Sequence, residues 1–293
     1  MTAEKSRPLI NPWIVAVAVM LSTFLEVLDT SVVNVSLPYM AGNLSATVDE
    51  VTWVLTSYLV ANAIVLPITG WLANRFGRKR LLMTAVTGFT LASFLCGIAP
   101  TLPMLVTFRC LQGAFGGCLQ PISQAVLLES FPPQDRGKAM AFWGLGIVVA
   151  PILGPALGGY LTDTYSWRWV FYINLPIGVA SIIMTKLFIW DPSYIKPRGE
   201  KVDGWGLGML AVGIAALQIM LDKGQEADWF SAHYIVALGV IAVVLLTAFV
   251  IWELKIKEPI VHLRVFKDRN YATGVFLMTT LGFVLYGGLV LLP

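Results

Sequence analysis

Charge is scarce in this 293-residue chain. Asp, Glu, Lys and Arg make up 13% of it, against 57% hydrophobic residues. A soluble domain carries about 25% charged and about 45–50% apolar residues, so a mean hydropathy of +0.76 excludes an ordinary soluble fold. Cysteine is sparse too: Cys96, Cys110 and Cys118 all fall in apolar stretches and lack metal-ligand spacing. They read as small buried hydrophobes rather than a disulfide framework. The two histidines, His233 and His262, stand alone. No metal centre, no cofactor and no enzymatic chemistry is expected from such a set. The net charge of +3 is small and follows the connections between apolar runs, which gives no case for a nucleic-acid partner. A cleavable signal is missing as well, because the first apolar run is too long and no small-residue cleavage site follows it.

What the chain has is long apolar runs. Nine windows of about 20 residues mark membrane-spanning helices: 13–39, 51–72, 81–99, 102–128, 139–161, 168–190, 204–221, 234–252 and 271–293. The runs are continuous, whereas a barrel would show alternating ten-residue strands. The fold class expected is therefore an all-α membrane bundle. Lys and Arg alternate between connections: the N-terminus and the even-numbered connections hold sixteen, the odd-numbered ones only Arg168 and Lys223. That asymmetry predicts a multi-pass membrane protein with its N-terminus in the cytoplasm.

Against this background two acids stand out. Glu26 and Asp29 lie near the middle of the first run, three residues apart and so on one helix face. An acid at that depth costs about 2.5–3.5 kcal/mol on insertion scales, so its default reading is a proton or ion relay. The alternative is an acid that lines a packed polar seam. Arg109 lies inside the fourth run, about 10 Å from its outer end, and Asp29 about 15 Å from the outer end of its own run. The depths match closely enough for the two to interact if their helices are neighbours. A guanidinium lowers an acid's pKa and burial raises it, so a balanced pair could bind and release protons. The other reading of Arg109 is a tether to backbone carbonyls.

Three further stretches carry a pattern. Gly70-Trp71-Leu72-Ala73-Asn74-Arg75-Phe76-Gly77-Arg78-Lys79-Arg80 puts glycines at both ends of a basic turn. Glycines permit a tight turn and close helix approach, and the Arg/Lys cluster can grip carboxylates and helix C-termini or serve only as an anchor. Arg109-Cys110-Leu111-Gln112-Gly113 opens a glycine-rich segment of the fourth run. In the fifth run Gly154 and Gly158 form a small-xxx-small face beside Pro151 and Pro155. Such a face suits either a bending helix or plain tight packing.

Together these stretches resemble the major facilitator superfamily. Residues 70–81 are similar to its loop between the second and third helices. Residues 109–113 look like its R-x-x-Q-G motif, and Gly154-Pro155-Ala156-Leu157-Gly158-Gly159 looks like its antiporter motif. Leu28-Asp29-Thr30-Ser31-Val32-Val33-Asn34-Val35-Ser36-Leu37-Pro38, Trp167-Arg168-Trp169-Val170-Phe171-Tyr172-Ile173-Asn174-Leu175-Pro176 and Glu258-Pro259-Ile260-Val261 resemble the fourteen-helix drug/proton antiporters, the EmrB/QacA group. The resemblance implies a proton-coupled multidrug exporter working by alternating access. Asp29, Arg109 and Glu26 would couple protons, Gly70, Asn74, Arg75, Gly77, Arg78 and Lys79 would form the gating loop, and Gly154, Pro155, Gly158 and Gly159 the antiporter motif. Asn34, Tyr58, Asn62, Gln112 and Gln120 would face the substrate cavity. The implied partners are an amphipathic small molecule, protons, the lipid bilayer, and a periplasmic membrane fusion protein with an outer-membrane channel. Residues 1–195 would be the N-terminal six-helix half, 196–265 two extra helices with their cytoplasmic connection, and 266–293 the first helix of an incomplete second half.

Two departures from the pattern stand out. Asn74 occupies a position that is usually Asp in the family loop, and only nine of fourteen helices are present. A dedicated exporter of one metabolite, lipid or siderophore, and a non-transporting fragment acting only through partners, remain alternatives.

Overall fold

The computed structural model describes residues 11–191, 203–256 and 259–291, with side chains as far as Val284. Among these residues every regular element is helical. In chain order they are α1 (Pro12–Asn43), α2 (Val48–Val51), α3 (Trp53–Phe76), α4 (Arg78–Ile98), α5 (Leu102–Gly116), α6 (Leu119–Ser130), α7 (Arg136–Thr164), α8 (Trp169–Tyr172), α9 (Asn174–Phe188), α10 (Gly204–Lys223), α11 (His233–Lys255) and α12 (Arg269–Leu291). Eight of the nine expected spans are long and apolar enough to cross a membrane. The ninth falls on α12, whose last side chains lie outside the described set. Glu258, quoted above in a family stretch, also lies outside it.

Several spans are broken where the runs read as continuous. The second begins with the separate turn α2, closed by a capping box in which Thr47 and Glu50 satisfy each other's backbone N–H groups. The fourth divides at Gly117 and Cys118. A Cβ on Gly117 would stand 2.6 Å from the Asn62 carbonyl, so the break lies where α3 approaches closely. The sixth divides between Tyr172 and Asn174.

α1 is the hub. It runs along α7 and also touches α6, α8 and α9, while α5 lies against α3 and α4. In lipid, helix association depends on close packing and interhelical hydrogen bonds, since the tails are as apolar as leucine. The α1–α7 seam shows both devices. A Cβ on Gly154 would collide with Ser31, and one on Gly158 would stand 2.9 Å from the Val32 carbonyl. Pro155 has no N–H to give the carbonyl four residues back, which is that of Pro151. Ser31 Oγ donates to it instead, at 3.3 Å. Ser36 and Thr162 pair at 2.8 Å, and the Trp143 indole donates to Thr23 at 3.1 Å.

α10 and α11 pair with each other, and α10 docks on α3. At one end Ile68, Leu210, Phe249 and Ile260 form an apolar cluster. At the other, the buried Lys223 ammonium donates to Thr52 Oγ, to the Asp49 carbonyl at 3.3 Å and to Glu226 at 2.8 Å. Thr56 donates to Asp222 beside it. The basic turn between α3 and α4 is compact: α3 runs straight to Phe76 and only Gly77, at φ +86°, separates it from α4. That φ favours glycine, and a Cβ there would also meet Asp191 Oδ2 at 2.9 Å. Gly70, by contrast, sits inside α3 with open space around it. Expecting a glycine-bounded turn at that end was wrong, because the helix continues through it.

Candidate functional site

The centre of the molecule is polar. Asp29 and Arg109, both fully buried, form an ion pair at 2.6 Å between Oδ2 and Nη1. The other carboxylate oxygen accepts from Gln112 Nε2 at 2.9 Å and from Asn174 Nδ2 at 2.6 Å. α1 supplies the acid, α5 the guanidinium and one amide, α9 the second amide. Arg109 Nη1 also reaches Gln112 Oε1 at 2.8 Å, and its Nε donates to the Val54 carbonyl of α3 at 3.1 Å. Both readings of Arg109 are therefore realised at once: it pairs with the acid and tethers a backbone carbonyl.

Gly113 makes this reach possible. A Cβ there would collide with the Tyr58 carbonyl, so only glycine lets α5 lie so close to α3. Arg109 and Gln112, three residues apart, then share the face turned to α1. The guanidinium plane lies 4.2 Å from the Tyr58 ring centroid and 5.8 Å from that of Phe171. Aromatic faces attract a desolvated cation by about 2 kcal/mol, which offsets part of the cost of burying Arg109.

Glu26 lies one turn away in different company. Its Oε1 accepts from Asn62 Nδ2 at 2.9 Å, Gln120 lies beside it, and its Oε2 has no hydrogen-bond partner. Asn62 and Gln120 are half-buried and Asn34 is exposed. Tyr58 and Gln112 were expected at a substrate cavity, but both are fully enclosed. Tyr58 lies beneath Arg109 and Gln112 bridges the ion pair, so neither is open to a substrate in this conformation. Cys96 and Cys118 are buried as expected, whereas Cys110 is exposed.

At the basic turn, Asp191 Oδ1 accepts from the Lys79 backbone N–H at 2.7 Å, placing a carboxylate at the α4 N-terminus. Arg78 pairs with Glu129 of α6. Asn74 is exposed, and Arg75 lies 5.5 Å from the Trp71 ring. In the antiporter stretch Gly154 and Gly158 make the contacts with α1 described above, whereas Gly159 faces open space.

The sequence reading missed Asn174 and Ser93. Asn174 also donates to Ser93 Oγ at 3.0 Å, and that hydroxyl donates to the Phe171 carbonyl at 2.9 Å. Asn174 was visible as a lone amide inside an apolar run, but nothing in the sequence placed it beside Asp29.

Comparison with known proteins bears on this helical bundle with its buried charged centre and glycine-seamed spans. The Major Facilitator Superfamily profile matches residues 19–293, and the chain belongs to that family. It is a multi-pass membrane protein. It is 45% identical over 280 residues to the multidrug export protein EmrB of Escherichia coli, covering 96% of this chain and 54% of that protein. It is 48% identical over 274 residues to the fatty acid resistance protein FarB of Neisseria gonorrhoeae, covering 93% and 54%. The chain thus spans about half the length of the curated relatives it matches. Among solved structures, a peptide transporter POT in complex with sulfate superposes with a TM-score of 0.62 at 16% identity, covering 82% of this chain and 52% of that one. The proton:xylose symporter XylE superposes at 0.56 and 17% identity, covering 74% and 54%. At those identities the likeness concerns the fold alone.

Proposed function

We propose that this chain forms the N-terminal part of a proton-coupled exporter of amphipathic compounds in the cytoplasmic membrane. The observation that carries the reading is the buried Asp29–Arg109 pair bridging α1 and α5. A ligand, here a proton, shifts a conformational equilibrium only by its differential affinity for the two states. Protonating Asp29 would cancel the charge that holds Arg109. The α1–α5 link would weaken, and one arrangement of helices would lose stability relative to another. Glu26, one turn away with one oxygen unpartnered, is the second acid of the coupling site. The basic turn with Asn74, Arg75, Arg78 and Lys79 would gate the cytoplasmic side, and the Gly154–Gly158 seam would let α7 move against α1.

On this reading 1–195 is the six-helix half, 196–265 the extra helix pair with its connection, and 266–293 the start of a second half. The Lys/Arg asymmetry supports a cytoplasmic N-terminus. Asn34, Asn62 and Gln120 remain as polar contacts for substrate, on a surface otherwise apolar enough for varied ligands. A periplasmic membrane fusion protein and an outer-membrane channel belong to the reading through the family resemblance.

The test is Asp29→Asn in the complete transporter, followed as proton-driven efflux from vesicles. Expression should persist and coupling should be lost. Wild-type efflux by the variant would overturn the assignment. A second reading, a dedicated exporter of one lipid-like metabolite, is favoured by the 48% identity to a protein named for fatty acid resistance. A resistance panel limited to fatty acids would select it.

A further inference from the structure

The acid at the centre is held by more than its ion pair. Asn174 is fully buried at the first residue of α9. Its Nδ2 donates twice, to Asp29 Oδ1 at 2.6 Å and to Ser93 Oγ at 3.0 Å. Both amide hydrogens are thereby spent. The Ser93 hydroxyl hydrogen is committed elsewhere, to the Phe171 carbonyl at 2.9 Å. Ser93 Oγ therefore presents a lone pair, not a hydrogen, to the amide. The order of donors is fixed along the whole chain: Ser93 to Phe171, Asn174 to Ser93, Asn174 to Asp29. This directs the Asn174 amide at the carboxylate with its donor side, and it couples α1 to α4, α8 and α9.

The groups facing Asp29 are few. Arg109 comes from α5, Cys96 from α4, Tyr58 from α3 and Glu26 from α1 itself. The acids and bases of α6, α7 and α9 lie near their helix ends: Glu129, Arg136, Lys138, Asp163 and Lys186. Asn174 and Gln112 are thus the neutral donors to Asp29 Oδ1, the oxygen that Arg109 does not hold.

We infer that Asn174, seated by Ser93, is a positioning residue that aims the Asp29 carboxyl at Arg109 and sets the pH at which the transporter loads its proton. The inference rests on the proposed coupling role of Asp29. A hydrogen bond donated to a carboxylate favours its charged form, so losing it favours proton uptake at higher pH. A net hydrogen bond corresponds to a shift of about one pH unit.

The experiment follows the Asp29 carboxyl band by isotope-edited infrared titration of the full chain in lipid, assigned by its disappearance in Asp29→Asn. Asn174→Leu removes the donor at similar volume, and its titration should move about one unit toward alkaline pH. Ser93→Ala keeps the amide but unseats it, and it should move the band in the same direction by less. If the leucine variant does not insert, the Ser93 variant decides alone. An unmoved band in the folded variants would overturn the inference. So would a moved band with an unchanged pH profile of efflux in the complete transporter, since Asn174 would then tune a group the cycle does not use. Coupled efflux by Asp29→Asn would instead overturn the coupling role itself, and the band test would still report whether Asn174 orients the acid.

Discussion

Glu26 and Asp29 lie three residues apart on one helix, yet the bundle treats them in opposite ways. Asp29 meets three donors from two other helices, one of them a guanidinium. Glu26 meets two neutral amides, Asn62 at 2.9 Å and Gln120 beside it, and no cation, and its Oε2 lacks a hydrogen-bond partner. Both carry the same cost of taking a carboxyl into the membrane interior. At Asp29 that cost is met by a cage assembled from 80 to 145 residues away in sequence. The difference shows that an intramembrane acid cannot be ranked by depth alone. The count and charge of the donors around it separate a residue built into the bundle from one left adaptable.

The sharpest way to break the contrast is to remove the cation. Arg109→Leu leaves a buried carboxylate facing two neutral amides. Breaking a buried pair by deleting one partner costs about 3–5 kcal/mol, so the chain should lose a comparable share of its stability and all coupling. Arg109→Lys should restore only part of it. A lysine ammonium lacks the planar fork that here reaches the Val54 carbonyl, Gln112 and Asp29 together. Thermal unfolding in detergent, combined with a double-mutant cycle against Asp29→Asn, would measure the coupling. Additive effects would mean that the two charges, though in contact, do not depend on each other.

Gln112→Leu comes next. Gln112 donates to Asp29 and accepts from Arg109, so it holds the pair in register without carrying charge. Its loss should cost about 1–3 kcal/mol, the usual penalty for stranding buried partners. Efflux should fall without the complete uncoupling expected of Asp29→Asn. A Gln112 variant as damaged as the Arg109 variants would place the coupling in the amide rather than the ion pair.

The ion pair was within reach of the sequence because depth is readable: helical rise turns residue number into ångströms. The α1–α7 seam was legible for a similar reason, since Gly154 and Gly158 fall at the four-residue spacing that a close crossing needs. What escaped depends on contacts between distant spans. Ser93 and Asn174 are single polar residues in apolar runs, and no periodicity says which way they face. Tyr58 read as a cavity aromatic because nothing local reveals that Arg109 lies on it. The breaks at Gly117–Cys118 and before Asn174 leave hydropathy untouched, so the fourth and sixth runs read as continuous. The docking of α10 on α3 was invisible too, because Lys223 looked like an ordinary loop cation and is buried against Thr52.

The smallest effect should come from Glu26→Gln, and its smallness is what sharpens the comparison. Glutamine preserves the shape of the side chain and the carbonyl oxygen that Asn62 donates to at 2.9 Å. The replaced oxygen, Oε2, makes no hydrogen bond, so none is lost. Gln120 lies beside it with its amide toward the carboxyl, and turning that amide over would offer its oxygen to the new N–H. At Asp29 the same chemical change would put an N–H among three N–H donors and strand Arg109. Stability of the Glu26→Gln chain should therefore stay within about 1 kcal/mol of wild type, the scale of one hydrogen bond. Efflux should remain proton-driven, with a milder reduction than any variant above. Melting temperature and efflux rate measured side by side with Asp29→Asn decide the matter. A Glu26 variant that uncouples as fully as Asp29→Asn would erase the distinction between the two acids.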